Sequence, residues 1–473
     1  MKNIFSLIIL AISLLEIYGQ GIGSYGITDA KSIGIAKAFS SSFGLYAVGK
    51  NPANLFQDSS SISEMNLSIP IPHLSFSAGT NFLSISDYNY YFGTKVTGTN
   101  NELNGRKLTE DDKQNLKNIF QNGSSIYSDI SIQSIGIKIQ PSKKIGAFGF
   151  SVIDRISFSL TIPKSLITLF LDGNIPGQIY NFSDAKFNAW WLRKTSVTYS
   201  NKINFLKGLY IGASVNFVSG YFYSKVERLN TEFKTVEGNA LSGKSDYLIY
   251  LAASEDFNIR YNFDKRPKKN FTFSFFPKPA GYGIGIDFGL TSRVSQKFTF
   301  TLSFTDIGSI NWYNNVAELS SKNSFYIDDL TDKNQIDSLK AVLSGNGKYI
   351  NSLKLKMATA MHLGLAWTNK TYNYYSDNKL LILIEYHQGF NNEFGNSKSP
   401  RIVLGIEYTP KTIVSIRSGL SIGDIEKIKW SFGCGLNFGF LEINMGTLDI
   451  LNIFQRDKAK NFSIAFGSII RFL

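Results

Sequence analysis

The histidines are the residues of this sequence best suited to acid–base or metal chemistry, and there are three of them, His73, His362 and His387. Glu385 precedes His387 by two residues, so in a strand the two side chains would share one face as a carboxylate–imidazole pair. A hydrolase would also need a nucleophile held beside the imidazole, and no such motif is present. With Cys434 as its one cysteine, the chain is also poor in ligands for zinc, iron–sulfur clusters or haem. We therefore expect no enzyme, no metal site and no cofactor.

A glycine pattern and a run of basic residues each resemble sequences that bind phosphate groups in other proteins. Residues 21–26 match the Gly-x-Gly-x-x-Gly fingerprint of dinucleotide sites, but that fingerprint requires a preceding strand in a βαβ unit. Here an apolar leader precedes it, so we expect no nucleotide site. The densest basic run comprises Lys265, Arg266, Lys268 and Lys269, which we interpret as a solvated loop. The alternative is contact with lipid phosphates or with an anionic partner at the membrane surface. No nucleic-acid partner is expected for an exported chain.

The composition indicates a large folded protein with little helix. The chain has 473 residues, of which 43% are hydrophobic and 18% charged, and this balance excludes disorder. A share of 14% aromatic residues, with 40 Gly and 11 Pro, argues against a helical bundle. The net charge of +13 is thinly spread. Several soluble domains or one large β-barrel would both fit this length.

Residues 1–19 have the form of a secretory signal peptide. Lys2 supplies the basic start, Ile4 to Leu15 the apolar run, and Gly19 the small residue before Gln20. The apolar run has about 12 residues, whereas a membrane-spanning helix needs about 20. No later stretch is long and apolar enough for such a helix. We therefore predict export with a cleaved signal peptide, and any membrane crossing must use strands.

Apolar and polar residues alternate with a period of two along much of the chain. In 281–290, Tyr282, Ile284, Ile286 and Phe288 share one face, and glycines and Asp287 share the other. Large apolar side chains on one face and Gly, Ser, Thr and isolated charges on the other are typical of outer-membrane barrels. A secreted β-sandwich is the alternative. The charges on the predicted inner faces are of both signs: Arg155, Asp287, Glu407, Arg417 and Lys429. Such charges imply a hydrated or salt-bridged lumen.

The connections alternate between short links and long polar stretches, as periplasmic turns and extracellular loops do in outer-membrane barrels. The predicted extracellular loops include 97–130, 162–186, 227–246 and 307–356. The fold class is therefore all-β, a transmembrane antiparallel β-barrel of about 14 strands, or of 16 if 270–276 and 441–448 are both strands. A capping box at Thr109–Asp112 predicts a short helix in the first loop, and the 307–356 insertion is predicted to form a second surface helix or a lid.

An N-terminal motif resembles part of a known superfamily. Phe39, the stretch 44–47 and Asn51-Pro52-Ala53-Asn54 precede the first predicted strands. This arrangement resembles the N-terminal hatch of the fatty-acid-transporter-like outer-membrane barrels, which include relatives in type IX secretion. The stretches 278–283 and 304–308 are similar to an uncharacterised branch of that superfamily. The resemblance implies that residues 20–56 form a plug, shaped by Asn51, Pro52, Ala53 and Asn54, inside a barrel of residues 57–473.

The same resemblance implies a function for the chain in the bacterial outer membrane. The first expectation is uptake of a small hydrophobic or amphipathic ligand through the plugged barrel, with outer-membrane lipid or lipopolysaccharide as its surroundings. The alternative is a docking or shuttle component for secreted or surface proteins, which the long extracellular loops favour. The lumen charges are expected to anchor the plug in either case.

Overall fold

The computed structural model describes residues 29–58, 64–97, 102–121, 124–206, 208–236, 240–261, 263–265, 267, 270–329, 331–369, 378–423 and 428–472. The predicted signal peptide at 1–19 and the glycine pattern at 21–26 lie outside the described residues. So do Arg266, Lys268 and Lys269 of the basic run.

Fourteen antiparallel strands close into one barrel, which confirms the predicted fold class and the smaller of the two predicted strand numbers. The first strand is in two segments and pairs with the last, through Met65 opposite Phe472 and Leu74 opposite Phe466. Residues 441–447 form a strand as considered above, whereas 270–276 do not. The barrel strands are β1 (Glu64–Leu67 and His73–Thr80), β2 (Ser124–Ser142), β3 (Gly146–Ile162), β4 (Lys186–Lys202), β5 (Leu209–Leu229), β6 (Gly281–Arg293), β7 (Phe298–Trp312), β8 (Ala360–Thr368), β9 (Lys379–Gly389), β10 (Arg401–Lys411), β11 (Val414–Gly423), β12 (Ile428–Asn437), β13 (Leu441–Thr447) and β14 (Asn461–Phe472).

Among the residues that the structure describes, the helices are short and lie in the plug or in the connections. The α-helices are α1 (Ala30–Ile33), α2 (Ile85–Phe92), α3 (Glu110–Ile119), α4 (Lys164–Asp172), α5 (Lys333–Ser344) and α6 (Leu451–Phe454), and the 3-10 helices are Gly44–Ala47, Pro52–Leu55, Glu255–Phe257 and Arg456–Lys458. As predicted, α3 begins after a capping box formed by Thr109 and Asp112, and α5 is a surface helix in the 307–356 insertion. None of the helices among the described residues is long and apolar enough to cross a membrane.

Several predicted loops are partly strand. β2 begins at Ser124, within the predicted loop 97–130, and β5 continues to Leu229, within 227–246. The insertion 307–356 begins with the end of β7 and contains further strands. The reason is strand length: β2 to β5 have 19, 17, 17 and 21 residues, whereas about 10 suffice to cross the bilayer. The barrel wall therefore extends beyond the membrane on the extracellular side. The strands of the connections are Thr94–Thr97, Glu102–Gly105, Ile179–Asn181, Glu232–Thr235, Leu241–Ala253, Ala317–Ile327, Asn346–Tyr349 and Leu353–Lys356.

The outer surface carries an apolar belt, as the alternation predicts. Along β6, Tyr282, Ile284, Ile286 and Phe288 are exposed, whereas Asp287 between them is buried. Other strands repeat the pattern with Phe148, Phe150, Val197, Tyr199, Phe217, Leu363, Leu365, Ile382, Ile384, Trp430 and Phe432. A closed sheet with such a belt satisfies its backbone hydrogen bonds within a bilayer, so the protein is an outer-membrane β-barrel. Its short turns and C-terminal strand end face the periplasm.

Candidate functional site

Residues 29–58 run through the inside of the barrel, and we call this segment the plug. From Asp29 to Phe56 every residue except Lys37 is buried. Asp29 caps α1 by accepting a hydrogen bond from the Ser32 amide at 2.9 Å. Lys50, near the other end of the plug, forms an ion pair with Asp29 and donates to the Ser32 hydroxyl at 2.5 Å. The two ends of the plug are thereby tied together by a buried ion pair.

The Asn-Pro-Ala-Asn stretch of the plug lies against β5 and β6 near their periplasmic ends. Asn51 caps the 3-10 helix Pro52–Leu55, because its side chain accepts from the Ala53 amide at 3.1 Å and proline occupies the first turn. The Asn51 side chain donates to Thr291 Oγ1 at 3.2 Å, and that hydroxyl donates to Asn54 Oδ1 at 2.5 Å. All four residues of the stretch are buried. They are held by capping and by hydrogen bonds to the wall.

Pairs of glycines on adjacent strands make room for the plug backbone. Gly212 of β5 lies opposite Gly289 of β6, and a Cβ at either position would lie within 3 Å of the Ala53 amide nitrogen, at 2.6 and 2.9 Å. Two more pairs of glycines face the plug in the same way. Gly405 lies opposite Gly419, and both are next to Ile35. Gly433 lies opposite Gly446, and both are next to the end of α1 or its cap. We call these three pairs the glycine seats. The inner wall is shaped to fit this plug.

The predicted lumen charges all lie buried inside the barrel, in separate groups. Glu407 accepts from Arg417 Nε at 2.6 Å and lies 3.8 Å from Lys31 of the plug. Asp287 accepts from Asn216 and from the Asp306 amide, at 2.8 and 2.7 Å. Lys429 is 3.6 Å from Asp449, and Arg155 is buried on β3. The Glu407–Arg417 group therefore contacts a charged residue of the plug.

A second anchor connects β8 and β9 to the middle of the plug. Both Glu385 oxygens accept from the Phe39 amide at 2.9 Å, and one also accepts from the Ser40 amide at 2.8 Å. His387 Nε2 contacts Glu385 Oε1 at 2.6 Å, and its Nδ1 contacts Nδ1 of His362 at 2.6 Å. The Phe39 ring stacks on His362 with a centroid separation of 3.8 Å. We call Glu385, His387 and His362 the latch.

The latch has the residue types of a metal or acid–base site, but its surroundings favour a structural role. Its three candidate donor atoms lie within 4.8 Å of one another. A guanidinium nitrogen of Arg401 lies 3.3 Å from His387 Nε2, and a cation there disfavours a bound metal ion. Thr305 Oγ1 lies 3.4 Å from His362 Nε2, and the Phe39 ring covers one face of the imidazole. The arrangement is best suited to holding the plug backbone by charge-assisted hydrogen bonds.

Nearer the extracellular end, four aromatic residues are buried inside the barrel. Trp190, Tyr223 and Trp312 come from barrel strands, and Phe394 comes from the loop after β9. Ring centroids are 5.6 Å apart for Tyr223 and Trp312, and 5.7 Å apart for Trp190 and Phe394. We call these four residues the aromatic cluster. Barrel lumens are usually polar, so an apolar cluster here is a specific feature of this chain.

Several site residues were missed from the sequence. Lys194 pairs with Asp306 at 3.1 Å inside the lumen, and Glu442 pairs with Arg471. The alternation of 194–200, in which Ser196, Thr198 and Ser200 are the small inward residues, could have placed Lys194 inside. Asp306 gave no such signal, because it sits in a left-handed conformation at a register shift between β6 and β7.

These features define the class: an outer-membrane β-barrel with an N-terminal segment buried inside its lumen. The chain belongs to a family of unknown function, DUF5723, whose model matches residues 61–447. None of the curated proteins matches the sequence.

Solved structures with a similar fold are barrels with very different sequences. They include a deltaS2S3 mutant of the monoaromatic hydrocarbon channel TodX, whose unmodified form is a Pseudomonas putida toluene transporter, with 12% identity, TM-score 0.48 and coverage of 95% of this chain and 98% of that chain. The Ralstonia pickettii toluene transporter TbuX has 11% identity, TM-score 0.42 and coverage of 96% and 98%. A Pseudomonas aeruginosa FadL homologue has 12% identity, TM-score 0.39 and coverage of 96% and 99%.

Proposed function

We propose that the protein takes up small amphipathic molecules across the outer membrane through its plugged lumen. The observation that carries this proposal is the aromatic cluster at the extracellular end of the lumen. Aromatic side chains with a few placed polar groups are the usual lining of small-molecule sites. A molecule held there would lie between the extracellular loops and the plug, and passage would require the plug to shift.

Two polar atoms of the cluster indicate that the ligand has a polar group as well as an apolar body. Tyr223 Oη and Trp312 Nε1 are buried and have no hydrogen-bond partner among the described residues. Leaving such groups unpaired is costly, so a ligand that offers a hydroxyl or carbonyl oxygen to the indole N–H would gain binding energy that a pure hydrocarbon would not.

Transport can be tested with N-phenyl-1-naphthylamine, whose fluorescence rises when it enters an apolar phase. Cells that express the chain should take up this probe faster than cells that express Trp312→Ala. Trp430→Phe is the matched control, because Trp430 lies on the outer belt, and its uptake should equal that of the wild type. Equal uptake by wild type and Trp312→Ala, at equal amounts of folded protein, would contradict the proposal.

The role of the polar group can be tested separately by calorimetry on the detergent-solubilised protein. 1-Naphthol should bind more tightly than naphthalene, and Trp312→Phe should weaken naphthol binding by about two- to tenfold, the value of one hydrogen bond. Naphthalene binding should change little in the same variant. If both compounds lose affinity equally, the indole N–H makes no specific contact.

The tall wall of the barrel favours docking of a secreted or surface protein as a second candidate function. The strand 241–253 pairs with β5 and then with 317–327, from Leu241 opposite Ile327 to Leu251 opposite Ala317. This sheet adds a broad extracellular surface beyond the barrel. Deleting α5 and its flanking turns should abolish a cross-linked partner in native membranes while the barrel still migrates as a folded species in cold detergent. A partner retained by that variant would contradict docking at this surface.

A further inference from the structure

Residues 270–278, which we call the phenylalanine segment, lie against the outside of the barrel wall. The Phe273 ring is nearly parallel to Trp191 of β4, with centroids 6.1 Å apart. A guanidinium nitrogen of Arg193 donates to the Phe275 carbonyl at 3.1 Å. Trp191 and Arg193 alternate with the inward residues of β4 and so share the outer face with Val197 and Tyr199 of the belt. The segment is therefore on the lipid side of the wall.

The segment exposes four large apolar side chains. Phe271, Phe273, Phe275 and Phe276 are 65%, 56%, 73% and 84% exposed. The backbone beneath them is fixed, because the Lys278 amide donates to Asp256 at 2.6 Å and Asn258 donates to the Thr272 hydroxyl at 2.9 Å. A row of exposed apolar side chains on a fixed backbone marks an interaction surface.

The surface is continuous with the membrane-facing belt. The segment leads through Pro279 and Ala280 directly into β6, whose first outward residue, Tyr282, is exposed and lies 5.9 Å from the Tyr313 ring. Tyrosine pairs at the end of an apolar belt are typical of the aromatic girdle at the membrane–water interface. The four phenylalanines therefore continue from the extracellular edge of the belt.

The segment also covers charges that would otherwise face lipid. Asp154 of β3 shares the outer face with Phe148 and Phe150, and it accepts from Arg193 Nε and Trp191 Nε1 at 3.0 and 3.1 Å. An ion pair in contact with hydrocarbon is costly unless its polar groups are satisfied. The Phe275 carbonyl supplies one more acceptor for Arg193, and the Phe276 ring lies 5.3 Å from the same guanidinium.

We infer that the phenylalanine segment is an interfacial anchor that inserts into the outer leaflet, with the acyl chains of its lipids as the partner. Lys265 and Lys278 are exposed on the same connection, where an ammonium group can pair with a lipid phosphate. The anchor fixes this extracellular connection against the membrane and shields the Asp154–Arg193 pair. It is independent of the proposed uptake.

Nitroxide accessibility tests this inference on the full chain in vesicles of phosphatidylcholine and phosphatidylglycerol. Cys434→Ser serves as the background, so that a single spin label can be placed at Phe276→Cys. Ile284→Cys on the belt and Phe170→Cys on α4, whose phenylalanine is 81% exposed, are the lipid and water controls. The label at 276 should collide more with dissolved oxygen than with a polar nickel complex, as at 284, and the label at 170 should show the reverse.

The inference is overturned if the label at 276 is as accessible to the nickel complex as the label at 170. That outcome would show that the segment faces water, as expected of a protein-binding surface. Phe275→Cys provides a second position on the same segment, and a cold-detergent gel shift confirms that each labelled variant is folded.

Discussion

Gly212 and Gly289 lie opposite each other on β5 and β6, and the Pro52–Ala53 backbone occupies the space that a side chain at either position would fill. The plug is therefore seated by backbone contact with the wall. A substitution at one of these wall glycines should therefore alter the position of the plug without changing any plug residue.

Gly212→Ala should displace the Asn-Pro-Ala stretch and open the lumen. The added Cβ would lie 2.6 Å from the Ala53 nitrogen, and backbone atoms cannot move aside as a flexible side chain can. We expect a conductance in planar bilayers that the wild type lacks, and a loss of about 1–3 kcal/mol of stability from overpacking.

The matched control for that variant is Gly285→Ala, which lies on the same inner face of β6. Its Cβ would meet Met357 Sδ at 2.8 Å, the flexible end of a side chain. This variant should stay closed. Equal conductance in both variants would show that the glycine seats do not position the plug.

Glu385→Gln should loosen the plug at the latch. The amide keeps the size of the side chain but loses the charge that two plug amides and His387 share. Hydrogen bonds to a charged group are worth about 1.5–3 kcal/mol. The temperature at which heated samples lose the gel migration of the folded barrel should therefore fall. Glu110→Gln, at an exposed position on α3, should leave that temperature unchanged. A variant at 385 as stable as this control would mean that the latch contributes nothing to holding the plug.

Much of the barrel could be predicted because strand geometry imposes a period of two on a wall with lipid on one side. Tyr282 to Phe288 alternate with glycines and Asp287 for that reason, and the structure confirms their outward direction. The upper part of β5 gave no such signal. Above the membrane both faces of a sheet can contact water, so apolar and polar residues need not alternate there. Residues near Leu229 were therefore predicted to be loop, although they pair with the neighbouring strand.

The site was harder to predict than the wall, because it depends on which residues meet across strands. Glu385 and His387 were paired by their spacing alone. Their contact with His362 requires the β8–β9 register that puts His362 opposite His387, and the alternation within a single strand does not specify which residues of two strands lie opposite each other. The glycine seats have the same dependence, since each seat needs two glycines at one level.

Glu407→Gln should destabilise the protein more than the double variant Glu407→Gln/Arg417→Gln. Removing Glu407 alone leaves the buried cations Arg417 and Lys31 without the carboxylate they share. Breaking a buried pair from one side costs about 3–5 kcal/mol, mainly through the charge left behind, and the second replacement removes one of those charges. Thermal unfolding followed by circular dichroism would measure both. A double variant as unstable as the sum of the single variants would mean that the two charges are independent.

The N-terminal turn of α3 should lose its order as pH falls. The Thr109 amide and the Arg106 guanidinium donate to the Asp112 carboxylate and hold its pKa below the usual value. Because the folded-state pKa is depressed, this stabilisation is complete above the unfolded-state pKa of about 4 and is lost as pH falls through the lower folded-state value. Hydrogen exchange of 110–119, corrected for the intrinsic rate, should show protection that falls below about pH 4. Asp112→Asn should have low protection at every pH, whereas Asp111→Asn should keep the wild-type profile. A pH step that persists in Asp112→Asn would assign the effect to another group.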